Sequence, residues 1–303
     1  MTATPLAQSG APVIYVVPPA KSAKPGRAIL YVILSVALVY YAIPLLLVIS
    51  TSLKTTDELR TGNIFTLPQS LNFDAWSKAW MTACTGIECN GIHGNFWNSV
   101  EIVVPGVVFS ILFGALTGFA LSQWQSKLSR VILLSLMLGA FIPYQVILYP
   151  MVRIFSSIGL YGTLPGIILI HIIFGLPYMA LLFFNFYQGV PPELSKAAKM
   201  DGAGFFTIFF EIMLPMSVNV LVVAIIMQAT GIWNDFLLGL IFAGRDHLPI
   251  TVQLNNIVNT TTGVKEYNVN MAATFLTALP PLLIYILSGR YFARGLAAGA
   301  VKG

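Results

Sequence analysis

The chain has 303 residues and a net charge of +5, and 57% of the residues are hydrophobic while only 9% are charged. A soluble domain has about 25% charged residues, so this chain has too few charges to cover a surface that faces water. The basic residues form no long run of like charge, which argues against binding of nucleic acid. The composition therefore predicts a protein of the lipid bilayer.

The N-terminal residues are rich in Pro and Ala, and the apolar stretch that follows them is long enough to span a bilayer. A cleavable signal has an apolar core of only about 7–15 residues, so we expect a retained first helix. The sequence thus divides into an N-terminal tail, residues 1–27, and a transmembrane domain, residues 28–303.

Six segments are apolar over about 20 residues, which is the length needed to cross the hydrocarbon core once. They are residues 28–50, 98–121, 131–151, 164–186, 212–240 and 271–289. Pro143 interrupts the third segment, and spans tolerate such breaks where neighbouring helices or water satisfy the backbone. The fifth segment is too long for one straight crossing, and TGIWNDF at 230–236 indicates a bend. The predicted fold is all-α, with six transmembrane helices.

Lysine and arginine are distributed unequally between the two sets of loops. Ten of the 16 basic residues lie in the two tails and in the loops at 122–130 and 188–211. Cytoplasmic loops carry an excess of basic residues, so we expect both termini in the cytoplasm. The loops at 51–97 and 244–270 are then outside.

Cys84 and Cys89 are the two cysteines of the chain, and their spacing does not match a paired zinc site. They lie in the loop at 51–97, where an oxidising compartment would favour a disulfide between them. Two free thiols are the alternative. We expect no metal site.

Motifs of catalysis are missing from the sequence, which has no G-x-x-x-x-G-K-[ST] loop, no G-x-S-x-G and no H-E-x-x-H. The main ionisable residues inside the spans are His171 and Asp235. A proton-driven carrier needs a buried carboxylate or a relay, and one aspartate near the end of a span supports it weakly. We expect neither an enzyme nor a cofactor bound by this chain.

Uncharged polar groups in and near the spans offer a different chemistry. Amide and hydroxyl groups together with aromatic rings recognise a sugar when they face a water-filled path. The same groups also link helices to one another inside a membrane, and this alternative applies to each residue. The candidate path consists of Tyr144, Gln145, Gln228, Trp233 and Asn234.

The stretch PPELSKAAKMDGAG in the loop at 188–211 predicts a short helix with small side chains. Pro192 is typical of a helix start, Glu193 is favourable in a first turn, and Gly202 stops the helix. The stretch has no strong apolar face, which favours docking into a groove of a partner over a helix that lies on the membrane.

From Lys196 the sequence reads K-A-A-x-x-x-G, then nine residues, then I-x-L-P, which ends at Pro215. This pattern resembles the EAA loop of inner-membrane permease subunits of bacterial ABC importers. Other stretches resemble carbohydrate permeases of the MalG-like type, namely STSLKTTDEL at 50–59, LNFDAW at 71–76, WNDF at 233–236 and the tail at 289–303. CTGIECNG at 84–91 and NTTTGVKEYNVNMAA at 259–273 are similar to permeases of glucose/mannose-type importers.

The resemblance implies the fold of a type I importer permease in the bacterial inner membrane, taking up a mono- or oligosaccharide of the glucose/mannose kind. It implies three protein partners besides the lipid: a second homologous permease, a cytoplasmic ATPase dimer that binds ATP and Mg, and a periplasmic sugar-binding protein. The loop helix would dock in a cleft of the ATPase. The loop residues concerned are Glu193, Lys196, Ala197, Ala198, Asp201, Gly202, Ile212, Leu214 and Pro215.

The loop departs from the family pattern at one position, since the family has Glu where this chain has Lys196. A lysine would repel the basic group that pairs with this glutamate. Either Glu193, one turn earlier on the same face, makes the contact, or the ATPase offers an acid or a carbonyl to Lys196.

Two other classes of protein compete with this interpretation. A secondary carrier for a small polar solute predicts buried carboxylates or an inverted repeat, and the sequence displays neither. A membrane scaffold without transport activity does not explain the match to a docking loop along its full length.

Overall fold

The computed structural model describes residues 24–300 except 87, 125 and 261–264, with side chains from 26 to 289. Most of the predicted N-terminal tail and the side chains of the C-terminal tail lie outside the described residues. The regular structure in the described part is helical throughout, which confirms the predicted fold class.

The chain divides into two units, Met1–Leu46 and Leu47–Gly303. The first unit contains most of α1, and the second contains the remaining helices. The α-helices are α1 (Lys24–Ser52), α2 (Thr56–Thr61), α3 (Asp74–Met81), α4 (His93–Gln123), α5 (Lys127–Phe141), α6 (Tyr144–Ser157), α7 (Leu164–Gln188), α8 (Pro192–Met200), α9 (Phe205–Thr207), α10 (Leu214–Met216), α11 (Val218–Trp233), α12 (Leu237–Phe242), α13 (Ile250–Val258) and α14 (Tyr267–Ala300). A π-helix, Ile208–Met213, lies between α9 and α10.

Four helices of the described residues, α1, α4, α7 and α14, are long and apolar enough to cross a membrane. Two bent pairs add up to two further spans: α5 with α6 at 103°, and Phe205–Met216 with α11 at 81°. When each bent pair counts as one span, the six spans correspond to the six apolar segments of the sequence.

The third predicted segment, 131–151, is not one continuous helix. Ile142 has ψ of 125°, in the extended region, and Pro143 follows it. Because a proline disfavours the α conformation of the residue before it, α5 ends at Phe141 and α6 sets off in a new direction.

The fifth predicted segment, 212–240, has its main bend at Ser217, earlier than the sequence suggested. Ser217 has ψ of 12°, and its Oγ donates a hydrogen bond to the Leu214 carbonyl at 2.8 Å. The stretch TGIWNDF does interrupt the helix, because α11 ends at Trp233 and α12 begins at Leu237.

Helices α4 and α7 run parallel at very close distance. A Cβ atom placed on Gly114 would lie 2.3 Å from the Cβ of Met179, and one on Gly118 would lie 2.6 Å from the backbone nitrogen of Phe184. Small residues four apart allow this approach, which is how helices gain van der Waals contact in a membrane. The two helices form the centre of the second unit.

Buried apolar side chains form two clusters. The larger lies among α4, α7, α11 and the π-helix and contains Phe119, Phe183 and Phe209. The smaller is built around α3, α13 and α14 and contains Ala79 and Trp233. We call the part of the second unit around the smaller cluster the α3 end, and the part around α8 the α8 end.

Polar contacts join the loops of the α3 end to the start of α4. Asn95 Nδ2 donates to the Leu248 carbonyl at 2.8 Å, and the Ile250 amide donates to Ser99 Oγ at 2.8 Å. Between α3 and α4, a disulfide joins Cys84 to Cys89. The loops predicted to lie outside thus share one surface.

Candidate functional site

Helix α8 has one buried face and one exposed face. Ser195 and Ala198 are buried against the second unit. The opposite face carries Glu193, Lys196 and Met200, and Met200 is 88% exposed. Of the two alanines in the K-A-A stretch, Ala197 is exposed and Ala198 points inward, so the exposed face is low in bulk at its centre.

The end of α8 follows the expected glycine signal. Gly202 has φ of +84°, a conformation that favours glycine, and its amide donates to the Lys199 carbonyl at 3.1 Å. The Ala203 amide donates to the Ala198 carbonyl at 2.9 Å. Asp201 is exposed beside this turn. The chain therefore leaves α8 abruptly towards the π-helix.

The segment after α8 is fixed to the end of α4 by aromatic rings. The ring centroid of Phe119 lies 4.9 Å from that of Phe205 and 5.7 Å from that of Phe209. Ile212 and Leu214 pack partly buried against the larger cluster, while Pro215 is exposed. Phe119 thus joins the end of α4 to the segment that follows α8.

Glu193 and Lys196 carry charges that the described part of the chain does not pair. In the described part of the chain, the pairs of basic and acidic side chains are Lys78 with Glu266 and His171 with Asp235. Neither pair involves α8. Glu193 and Lys196 are thus exposed and can meet a partner, as can Lys199 on the same helix. Whether Glu193 or Lys196 makes the contact stays a prediction.

A groove of about 460 Å³ lies between the start of α6, the middle of α7 and the α11–α12 break. Three predicted path residues line it, Tyr144, Gln228 and Asn234. Gln145, although next to Tyr144, is exposed and does not line the groove.

Trp233 lies in the protein core and does not line the groove. It is 5% exposed, and its Nε1 donates to the Thr277 carbonyl at 2.9 Å. Its ring packs edge-on against Phe96, with centroids 5.4 Å apart. The structure thus gives Trp233 a helix-linking position between α11, α4 and α14, which was the alternative considered for it.

Gln228 combines both possible roles of a polar residue inside the membrane. Its Nε2 donates to Ser110 Oγ at 3.0 Å, and so links α11 to α4. A Cβ atom on Gly175 would lie 2.1 Å from the same nitrogen, so α7 provides space for the amide only because it has glycine there. Part of Gln228 still lines the groove.

The two ionisable residues of the spans meet at one end of the groove. His171 Nε2 lies 4.0 Å from Asp235 Oδ2, and both side chains are largely buried. Asp235 Oδ2 also accepts a hydrogen bond from the Gly239 amide at 2.9 Å, and thereby caps α12. Sequence reasoning singled out both residues, but it did not place them together.

The aromatic wall of the groove comes from α7 and was missed at the sequence level. Phe174 and Tyr178 line it together with His171, and the three residues are spaced as neighbours on one helix face. This spacing in the sequence could have predicted that the three side chains lie on one face of α7. The groove thus combines rings, an amide and hydroxyl groups, which is the chemistry that suits a sugar.

Comparison with known proteins gives a family and several relatives. Residues 110–298 match the family described as "Binding-protein-dependent transport system inner membrane component". A probable ABC transporter permease protein of Pyrococcus horikoshii is 37% identical over 92% of this chain and 98% of its own length. The alpha-glucoside transport system permease protein AglG of Rhizobium meliloti is 36% identical over 70% of this chain and 57% of its own length.

One solved structure matches the whole fold. A chain of a bacterial ABC transporter involved in the import of the acidic polysaccharide alginate superimposes with a TM-score of 0.75, over 90% of this chain and 98% of that chain. The sequence identity is 18%, so this likeness concerns the fold alone. The fold is that of a type I ABC importer permease.

Proposed function

Because the chain belongs to the family of binding-protein-dependent transport system inner membrane components, we propose that it forms one half of the translocation path of an ATP-driven sugar importer. The family consists of permease subunits of ABC importers, so the chain is not an enzyme and ATP hydrolysis resides on a separate subunit. The groove with Tyr144, Gln228 and Asn234 carries the proposal, since these groups can bind hydroxyls.

The proposed cargo is a neutral mono- or oligosaccharide, with a glucose- or mannose-like sugar as the first to test. The named relatives differ in cargo, from an alpha-glucoside to the acidic alginate. The groove of this chain is lined by no lysine or arginine, and its acid is Asp235. His171 lies beside this acid at 4.0 Å, and the groove offers no Lys or Arg that would bind an anionic sugar, which favours a neutral one.

The proposed partners meet the two ends of the second unit. We assign the exposed face of α8 to a cytoplasmic ATPase, because Ala197 lowers its bulk near the centre and the described residues do not pair its charges. We assign the loops of the α3 end to a periplasmic sugar-binding protein. A second, homologous permease would close the open side of the groove. Both termini would then be cytoplasmic and the membrane would be the bacterial inner membrane.

An uptake experiment tests the proposal. A strain that lacks this subunit should lose uptake of the cognate labelled sugar and regain it with the wild-type gene. Labelled glucose should be displaced by mannose or maltose and not by an amino acid. Affinity purification of the chain should recover an ATPase and a second permease.

Two results would contradict the proposal. The first is unchanged uptake of all tested sugars in the strain without the subunit. The second is purification of an active carrier that contains this chain and no ATPase, which would favour a secondary carrier. The family match does not favour that alternative.

A further inference from the structure

The stretch at 62–73, which we call the apolar loop, presents large apolar side chains to its surroundings. It contains no Asp, Glu, Lys or Arg. Phe65 is 70% exposed, Leu67 81%, Leu71 70% and Phe73 60%. A group of large exposed apolar side chains with no charge among them marks a surface that meets lipid or another molecule.

The backbone of the apolar loop is bound by the protein's own groups. Lys54 is 1% exposed, and its Nζ donates to the carbonyls of Asn63 and Ile64, both at 3.3 Å. The Phe65 amide donates to Asn63 Oδ1 at 3.2 Å, and the Thr66 amide donates to the Asn63 carbonyl at 3.1 Å. The buried ammonium thus donates hydrogen bonds to carbonyls of the loop, where an acid would be the usual partner.

The second half of the apolar loop is tied in the same way. The Gln69 amide donates to Glu58 Oε1 at 3.3 Å, and the Asn72 amide donates to the Leu53 carbonyl at 3.2 Å. A loop that faces water does not need such partners, because water satisfies its amides and carbonyls. A loop whose side chains enter a medium without water does need them, since each unsatisfied group there costs several kcal/mol.

The contacts also join the apolar loop to the last residues of α1. Leu53 follows the last residue of α1, and the apolar stretch of α1 ends at Ser52. The Nε1 of Trp76 donates to Ser52 Oγ at 3.2 Å at the same level. The end of a span marks the boundary between hydrocarbon and headgroups, where aromatic side chains concentrate.

We propose that the apolar loop lies in the lipid headgroup region at the level of Ser52, the last residue of α1, with Phe65, Leu67, Leu71 and Phe73 inserted among the acyl chains. Lys54 is the positioning residue that holds the loop backbone in this orientation. The occupant of the patch is lipid. The loop itself carries no charged residue, and its satisfied backbone is what a medium without water requires. The depth expected for such a segment is about 5–10 Å below the headgroup boundary.

Nitroxide labels on the purified complete importer in lipid nanodiscs test the proposal. The variants are Leu67→Cys and Leu71→Cys, each in a background with Cys84→Ser and Cys89→Ser. The matched control is Asp57→Cys on α2, an exposed charged position a few residues away. Collisions with oxygen, which dissolves in lipid, are compared with collisions with a water-soluble nickel chelate.

The proposal expects the oxygen-to-nickel ratio at positions 67 and 71 to exceed that at position 57 several-fold. A ratio equal to that at position 57 would place the loop in water and overturn it. Shielding from both reagents at 67 and 71 would mean that a protein partner covers the patch, which also overturns it. Both readouts are independent of transport activity.

Discussion

Glu193 and Lys196 stand one turn apart on the exposed face of α8, and the described residues pair neither of them. An ATPase cleft with a basic group at this position would attract Glu193 and repel Lys196. We expect Glu193→Ala to lower uptake and coupled ATP hydrolysis. Loss of a contact to a charged group costs about 1.5–3 kcal/mol, or roughly ten- to hundred-fold in affinity for the ATPase.

The control for this change is Lys199→Ala, which removes an exposed charge from the same helix. It should leave ATPase binding near the wild-type value, measured by co-purification and by hydrolysis in proteoliposomes. If Lys196→Ala and not Glu193→Ala weakens the complex, the ATPase offers an acid or carbonyl to the lysine. Normal coupling in Glu193→Ala would contradict the assignment to Glu193.

Two adjacent residues at the α11–α12 break, Trp233 and Asn234, have side chains in different surroundings, which the sequence did not predict. Trp233 and Asn234 were predicted as a pair, yet Trp233 bonds to Thr277 in the core while Asn234 lines the groove. The direction of each side chain depends on how α11 rotates against α14. That rotation is set by packing between residues more than 40 positions apart, which local spacing does not contain.

At the scale of helices, the close packing of α4 against α7 predicts how substitutions of its glycines change the stability of the protein. We predict that Gly114→Ala destabilises the protein, because the new methyl group meets Met179 at a distance no real contact allows. Overpacking of this kind costs about 1–3 kcal/mol. A lower unfolding temperature of the detergent-purified protein would register this loss.

Gly94→Ala is the matched control on the same helix, since no heavy atom within 4 Å would meet its Cβ. It should unfold at the wild-type temperature or above. Equal stability of Gly114→Ala and Gly94→Ala would contradict the tight α4–α7 contact.

The apolar segments of the sequence predicted the helices well and their bends less well. Pro143 located the α5–α6 bend, because the effect of proline on its neighbour is local. The bend at Ser217 had no comparable signal, since it arises where the chain turns from the π-helix into α11. The length and hydropathy of a segment reveal that a span exists. They carry no information on where the helix bends or which way it continues after the bend.

At the scale of the whole molecule, the orientation in the membrane is open to a direct test. Cys84 and Cys89 are the chain's two cysteines and form a disulfide at the α3 end. In cells with a permeable outer membrane, we expect an impermeant maleimide to label them only after an impermeant reductant has acted.

The control for orientation is Lys199→Cys in a background with both native cysteines changed to serine. This position on α8 should react only after the inner membrane is opened. Labelling with the opposite pattern would reverse the predicted topology and place the α3 end in the cytoplasm.

The contrast between the two borders of α7 has a mechanical consequence. On one border, glycines bring α7 almost backbone to backbone with α4. On the other border a groove of about 460 Å³ lies against the α11–α12 break, and the contact there is made by side chains such as Gln228. Close-packed helices move as one body, so a pull on α8 that reaches α4 through Phe119 carries α7 with it. In the proposed transport cycle we therefore expect the subunit to open along the groove, at the surface that would bind the sugar.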